Sequence, residues 1–142
     1  YIQYALKELG FKVKVNVNPP STHRQLVSKS QLSVFRGSWI ADYADAENYL
    51  ALFYSGNHSP KGPNYTHFSN TEFDDLYEKS LDIPELSKRI PIYEKMDSIV
   101  INQAAIIPLY YDNVLRFSHK SVKGLGSNAM NLLDLKRVKI IN

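Results

Sequence analysis

Residues 31–56, QLSVFRGSWIADYADAENYLALFYSG, decide the predicted fold because a strand end meets a helix start within them. The segment LSVF at 32–35 places apolar side chains at alternate positions and predicts a short strand. A helix is predicted to follow Asp45, whose carboxylate is a candidate N-cap for the first turn. Between the two elements lie Trp39, the single Trp of the chain, and the acid Asp42. In α/β folds such a junction is where ligands usually bind.

The sequence before this stretch predicts alternating helices and strands. Residues 1–9 place apolar side chains at helical spacing, and FKVKVNV at 11–17 alternates apolar and polar residues as a half-buried strand does. A short helix is predicted over residues 20–29. Together with the strand at 32–35, this order of helix, strand, helix and strand implies parallel pairing and an α/β class.

The sequence after this stretch predicts a loop, two helices and further strands. Residues 57–70 are rich in Pro, Gly, Asn and Ser and predict a long loop, a kind of segment that is often functional. Thr71 is the predicted cap of the next helix, and a longer helix is predicted over residues 86–103. Because Pro91 lies inside that pattern, we expect a kink or a later start. Strands are predicted at residues 106–111, where the strand would be buried, at 114–118 and at 136–141.

Composition places the chain among globular proteins and excludes several kinds of site. Its 142 residues suit one domain, and 44% hydrophobic with 22% charged residues is enough to form a core. The net charge is only +3 and the basic residues are dispersed, which argues against a nucleic-acid interface. The absence of Cys excludes a disulfide framework, a thiolate metal site and a Cys nucleophile. Since the sequence starts without Met and inside a predicted helix, we expect a fragment of a longer chain, with any targeting signal outside it.

Three acids in six residues, Asp42, Asp45 and Glu47, are candidates for chemistry. A metal cluster or an acid–base pair is one interpretation. Asp45 has a structural alternative as N-cap, and Glu47 has one at the positive end of the helix dipole. Asp42 has no comparable local role, and two interpretations remain open for it. It is a solvated turn residue, or it is a carboxylate that awaits a cationic group.

Aromatic, amide and basic side chains nearby are further candidates for a ligand site. Trp39 is a core residue or, because it precedes an acid at a strand end, part of a pocket wall. Arg36 is an exposed edge residue or a bidentate partner for a carboxylate. Most of the ten Tyr residues fall on apolar stripes, but Tyr65, beside Asn64 in the long loop, and Tyr110 are placed to reach a ligand. The four His residues lack the paired spacing of a metal site, so neither a metal nor another cofactor is predicted.

The order of five segments resembles one known family. They are LKELGFKVKV at 6–15, VFRGSWIADYADAENYLALFYSGN at 34–57, GPNYTHFSNTEFDDLYEKS at 62–80, a long helix, and IIPLYYDNVLRFSHKSVKGL at 106–125. The chain resembles, over nearly its whole length, the C-terminal part of the bacterial ABC-transporter solute-binding proteins for peptides and nickel, which include dipeptide- and oligopeptide-binding proteins. The resemblance implies one lobe of a two-lobed periplasmic-binding-protein-like fold, an α/β lobe with a mixed sheet flanked by helices. Residues 1–142 would then be a single partial domain that lacks the first strand and the other lobe.

The family resemblance also implies a function. Family members bind ligand in a cleft that closes by a hinge, lie outside the cytoplasmic membrane in the periplasm or as lipid-anchored lipoproteins, and deliver ligand to ABC permease subunits. For this chain the resemblance implies a binding protein for short peptides, without enzymatic activity and expected to be a monomer.

Site residues follow from the same resemblance. In peptide-binding members, the acid that matches Asp42 in the motif Trp39-Ile40-Ala41-Asp42-Tyr43 pairs with the α-amino group of the ligand. An Arg that matches Arg36 meets the ligand's carboxylate in an oligopeptide-binding member, although many members lack it. Three further residues match regions that face the cleft: Asn64, Tyr65 and Tyr110.

Alternatives to peptide binding stay open at the level of sequence. Relatives with nearly the same framework bind nickel chelates, oligosaccharides or opines. A metal-dependent enzyme would use Asp42, Asp45 and Glu47, and a basic module would bind nucleic acid with a steep salt dependence. A zwitterionic peptide is preferred because its amine and carboxylate each need an opposite charge once they leave water.

Overall fold

The computed structural model describes residues 1–128 and 131–141. Its regular elements are the helices α1 (Ile2–Glu8), α2 (Pro20–Ser28), α3 (Glu47–Leu50), α4 (Thr71–Leu81) and α5 (Leu86–Asn102), the short 3-10 helix Ser55–Asn57, and the strands β1 (Val122–Lys123) and β2 (Lys139–Ile140). The chain divides into two compact units, Tyr1–Phe35 and Arg36–Asn142. Within the described ranges, no helix combines the length and the apolar character needed to cross a bilayer.

The first unit consists of α1, α2 and irregular segments. α1 confirms the helix predicted over residues 1–9, and α2 confirms the one predicted over 20–29. Pro20 occupies the first position of α2, where its missing N–H sacrifices no helical hydrogen bond. The strand predicted at 11–17 is wrong, since no described segment pairs with it and Val17 is 90% exposed.

The strand predicted at 32–35 is also wrong, because these residues form an irregular segment with a bend. Alternation along a segment indicates which of its faces would be buried. It does not supply the neighbouring strand that the backbone N–H and C=O groups require. Both errors in the first unit have this cause.

The second unit is built around a core that α3, α4 and α5 share. Three rings, those of Phe53, Phe68 and Phe73, meet edge to face with centroids 5.5 to 6.4 Å apart. Phe73 of α4 and Met96 of α5 are fully buried. Other core side chains come from all three helices: Leu50, Tyr77, Tyr93 and Val100. This packing fixes the position of α3, which carries part of the candidate site.

α4 and α5 confirm the two predicted helices but differ from prediction at their starts. Asn70 caps α4, because its Oδ1 accepts a hydrogen bond of 2.8 Å from the Phe73 amide. The predicted cap, Thr71, is therefore wrong by one residue; both residue types cap helices, so the pattern alone did not separate them. α5 begins at Leu86 and continues through Pro91, so of the two alternatives the later start is excluded and the kink stays a prediction.

The segment after α5 differs most from prediction. The strands predicted at 106–111 and 114–118 are absent, and the first of these segments is exposed rather than buried, with Tyr111 at 96% exposure. β1 and β2 form a two-stranded antiparallel sheet in which Val122 pairs with Ile140. The terminal strand is thus confirmed only over β2. The described residues form a small mixed α/β domain, and the predicted parallel sheet is wrong for them.

Candidate ligand-binding site

The second half of the stretch 31–56 forms a turn followed by the four-residue helix α3. Ala46 is the N-cap residue, so the cap predicted at Asp45 is wrong by one position. The predicted type of bond nevertheless exists, because the Asp45 carboxylate accepts a hydrogen bond of 3.0 Å from the Glu47 amide. α3 ends after Leu50, and the apolar residues that follow lie in turns instead of extending the helix.

Asp45 is committed to internal partners that join α3 to α5. Its Oδ2 forms an ion pair of 2.7 Å with Nη1 of Arg89, and its Oδ1 accepts a hydrogen bond of 3.1 Å from the Tyr93 hydroxyl. Burial opposes ionisation, but the hydrogen bonds from the Glu47 amide, Tyr93 and Arg89 together lower the pKa of Asp45. This carboxylate is therefore an ionised structural group.

Glu47 is committed in the same way and joins α3 to α4. Its carboxylate is buried and accepts hydrogen bonds from the hydroxyls of Tyr43 and Tyr77. Burial and the hydrogen bond to Glu47 raise the pKa of Tyr77, and the hydrogen bond to Glu47 raises the pKa of Tyr43. Both phenols therefore stay protonated as donors. In the part of the chain that the structure describes, no three acidic or His side chains come together to hold a metal ion.

Asn48 holds the turn that contains Trp39 and Asp42. Its Oδ1 accepts a hydrogen bond of 2.7 Å from the Trp39 indole Nε1 and another of 3.1 Å from the Asp42 backbone amide. Asn48 is 5% exposed, whereas Asp42 is exposed. Within residues 1–128 and 131–141, the Asp42 carboxylate makes no hydrogen bond or ion pair. The turn thus presents an unpaired negative charge to solvent, next to a half-buried Trp.

The sequence reasoning missed Asn48. Its contacts lie six and nine residues away along the chain, beyond any local pattern. One signal was available, because Asn48 is an amide at the head of an otherwise apolar run, NYLALFY. A buried amide in such a run needs hydrogen-bond partners.

Arg36 and Tyr110, two predicted site residues 74 positions apart, are in contact. Nη2 of Arg36 donates a hydrogen bond of 3.0 Å to the Tyr110 hydroxyl, and both side chains are exposed. The hydroxyl orients the guanidinium, whose planar fork suits a carboxylate. The structure therefore brings together two residues that the sequence left far apart.

The conformation of the loop at 57–70 is stabilised by hydrogen bonds of the Asn64 side chain. This residue is fully buried, and its Nδ2 donates hydrogen bonds to the carbonyls of Tyr54 at 3.0 Å and Phe68 at 2.9 Å. Its Oδ1 accepts one from Thr66 at 3.0 Å. Asn64 therefore holds the loop from inside, while the neighbouring Tyr65 lies on the surface.

Comparison with known proteins gives several relatives, although no family model matches the chain. The dipeptide-binding protein DppE of Bacillus subtilis (strain 168) is 30% identical over 101 residues, which are 71% of this chain and 18% of that protein. The probable D,D-dipeptide-binding periplasmic protein DdpA of Escherichia coli (strain K12) is 28% identical over 128 residues, 90% of this chain and 25% of that protein.

A third relative matches along almost the entire chain. The peptide transport periplasmic protein SapA of Haemophilus influenzae (strain ATCC 51907 / DSM 11121 / KW20 / Rd) is 25% identical over 142 residues, 99% of this chain and 25% of that protein. The chain thus spans 18% to 25% of the length of these three relatives. All three carry names of binding or transport proteins for peptides.

Proposed function

We propose, from its confirmed relationship to the peptide-binding family of bacterial solute-binding proteins, that this chain is part of the binding component of an ABC importer. In this role it binds short peptides and delivers them to the permease subunits, acting as a monomer outside the cytoplasmic membrane, in the periplasm or on a lipid anchor. Two of the relatives are named as periplasmic. None of the three is named as an enzyme, and we assign this chain no catalytic role and no cofactor.

The unpaired carboxylate of Asp42 is the observation that carries this proposal. Of the three neighbouring acids, Asp45 is neutralised by Arg89 and Glu47 is occupied by two Tyr hydroxyls. Asp42 alone remains available to a ligand cation, on a turn held by a buried amide. The α-amino group of a peptide fits this carboxylate, because a charge-assisted hydrogen bond offsets the loss of water by both groups. The same commitments of Asp45 and Glu47 argue against a metal-dependent enzyme that would use all three acids.

Arg36 is the proposed partner for the other charge of the peptide. Its guanidinium is oriented by the Tyr110 hydroxyl at 3.0 Å and offers parallel N–H donors to a carboxylate. Trp39 and Tyr65 are the proposed contacts for the peptide's side chains, because aromatic faces accept many side-chain types. Asn64 contributes by holding the loop that carries Tyr65.

We also propose that residues 1–142 are one part of a two-lobed protein, with the ligand cleft completed by the other lobe and with a mixed sheet completed by a strand before residue 1. The relatives are about four to six times as long as the matched segment, which accommodates a second lobe. Exposed apolar side chains at 106–117 support a sheet that is incomplete in this chain. Family members of this shape close on ligand by a hinge.

Calorimetric titration of the full-length protein tests the proposal. A pool of di- to hexapeptides is expected to release heat, and the variant Asp42→Asn is expected to lose at least tenfold in affinity, because a desolvated amine loses its counter-charge. The same peptides with an acetylated amino terminus should bind as weakly to the parent as the free peptides bind to the variant.

The matched control is Asp97→Asn, which makes the same change at an exposed position of α5. This control should bind like the parent. Equal affinity of the Asp42→Asn variant and the parent would refute the role of Asp42. Heat from a nickel-chelate or oligosaccharide pool, with none from peptides, would refute peptide binding and leave the family relationship intact.

A further inference from the structure

Asn48 controls both ends of the four-residue turn from Trp39 to Asp42 through a single atom. An amide oxygen has two lone pairs. Asn48 Oδ1 uses both, one for the Trp39 indole N–H at 2.7 Å and one for the Asp42 amide N–H at 3.1 Å. One oxygen therefore fixes the position of the indole ring and the backbone of the acid at the same time.

The helix α3, which carries Asn48, is held in position by three contacts with the rest of the second unit. Residues on either side of Asn48 are anchored: Glu47 accepts from Tyr77 of α4, and Leu50 is buried in the core. Asp45, just before α3, is ion-paired to Arg89 of α5. Asn48 is itself 5% exposed, so its amide cannot turn freely into solvent. The Asn48 oxygen is thus held in place by the core, and the two residues hydrogen-bonded to it, Trp39 and Asp42, are held by it in turn.

We propose that Asn48 is the positioning residue of the ligand site, holding the Asp42 carboxylate and the Trp39 face in register for a peptide's amino end. This inference rests on the proposed function and adds to that function a residue, Asn48, that supports the site without contacting the ligand. Binding sites require supports of this kind, because a displaced charged group loses its optimal hydrogen-bond geometry. Three residues therefore act as one unit, and only two of them contact ligand.

Two substitutions of Asn48 separate the effect of its hydrogen-bond acceptor from the effect of its side-chain volume. Asn48→Leu keeps a side chain of similar size and removes the acceptor, which leaves the Trp39 and Asp42 N–H groups without their partner. Asn48→Asp keeps acceptor oxygens at the same distance from the backbone, so both hydrogen bonds are retained. A purely space-filling role would make the Leu variant the milder change, and a positioning role makes the Asp variant the milder one.

The first experiment needs no ligand and uses the single Trp of this chain. A ¹H–¹⁵N correlation spectrum contains one indole signal. In Asn48→Leu this signal should shift upfield and exchange faster with solvent. In Asn48→Asp, which keeps an acceptor oxygen, it should stay downfield and protected from exchange. Val100→Ala serves as the control for lost stability, because Val100 is a buried core residue of α5 and is not one of the attachments that hold α3; its indole signal should not shift. An unshifted indole signal in Asn48→Leu overturns the inference.

The second experiment measures peptide affinity of the full-length protein by calorimetry. Asn48→Leu is expected to weaken binding about tenfold, the equivalent of one well-placed hydrogen bond, and Asn48→Asp by less. In the Asp42→Asn background, Asn48→Leu should cost less affinity than it costs in the parent, because the part of its effect that acts through Asp42 is already lost and only the part through Trp39 remains. Additive losses, or full affinity in Asn48→Leu, would overturn the positioning role alone. A parent that binds no peptide would instead refute the proposed function, while the indole signal still decides whether Asn48 holds the turn.

Discussion

Neighbouring acids of the same type acquire different roles from their partners. Asp42 and Asp45 are three residues apart, yet Asp45 has a guanidinium at 2.7 Å and Asp42 has no partner among the residues that the structure describes. Sequence placed the two acids at the same junction and assigned a structural role to one of them. Asp45 has its structural role because it is ion-paired with Arg89. Arg89 lies 44 positions further along the chain, so no local sequence pattern identifies it as the partner.

The ionised state of Asp45 leads to a prediction about stability and pH. Its pKa is lowered in the folded chain, so its contribution is present above the unfolded pKa of about 4 and is lost as the pH falls through the lower folded pKa. At pH 7, Asp45→Asn should reduce the free energy of unfolding by about 1–3 kcal/mol, because the partly buried Arg89 loses its counter-charge. Urea titrations of parent and variant at pH 7 and pH 3 should show the difference shrinking at the lower pH.

Asp97→Asn is the control for this pair of titrations, since Asp97 is exposed on α5. Its effect should stay within about 0.5 kcal/mol at both values of pH. If Asp45→Asn lowered stability equally at pH 7 and pH 3, the charge of Asp45 would not be the cause of its effect.

At the scale of elements, the helices could be predicted from the sequence, whereas only a short part of one predicted strand was confirmed. α1, α2, α4 and α5 each follow a run of apolar residues at helical spacing, which carries the signal within the element itself. The segments 11–17, 32–35 and 106–111 carry alternating or apolar patterns of equal clarity. A strand, however, also needs a hydrogen-bonded neighbour from elsewhere in the chain, and the described residues supply one only for β1 and β2.

The start of α4 offers a prediction that separates the structure from the sequence pattern. The structure makes Asn70 the cap, through a 2.8 Å bond to the Phe73 amide, whereas the sequence favoured Thr71. Asn70→Ala should therefore lower the free energy of unfolding by about 1 kcal/mol, and Thr71→Ala should change it by less than about 0.5 kcal/mol. Thermal and urea unfolding of the two variants measure the difference. The reverse order of effects would show that Thr71 is the cap after all.

At the scale of the whole molecule, the sequence indicated the family and named six candidate site residues, but it did not supply the geometry that relates them. Asp42 and Trp39 were proposed from one motif, and Arg36 from its place three residues before that motif. These assignments stay predictions, as do those of Asn64, Tyr65 and Tyr110. What the sequence did not reveal is the support: Asn48 beneath the turn, the contact between Arg36 and Tyr110, and the burial of Asn64. Each of these depends on residues that meet only after folding.

The exposed apolar segment at 106–117 allows the proposed sheet to be tested by hydrogen exchange. Unpaired backbone N–H groups exchange rapidly with solvent, and pairing in a sheet protects them. If this segment joins a sheet in the two-lobed protein, its amides should exchange quickly in the 142-residue chain and at least tenfold more slowly in the full-length protein, a ratio that corresponds to about 1.4 kcal/mol of added local stability. Hydrogen exchange followed by mass spectrometry measures both proteins. The amides of α5 near Met96, which is fully buried in this chain, should be protected in both and provide the internal control. Rapid exchange of 106–117 in the full-length protein would contradict the proposed sheet, because the segment would then have no strand partner in either context.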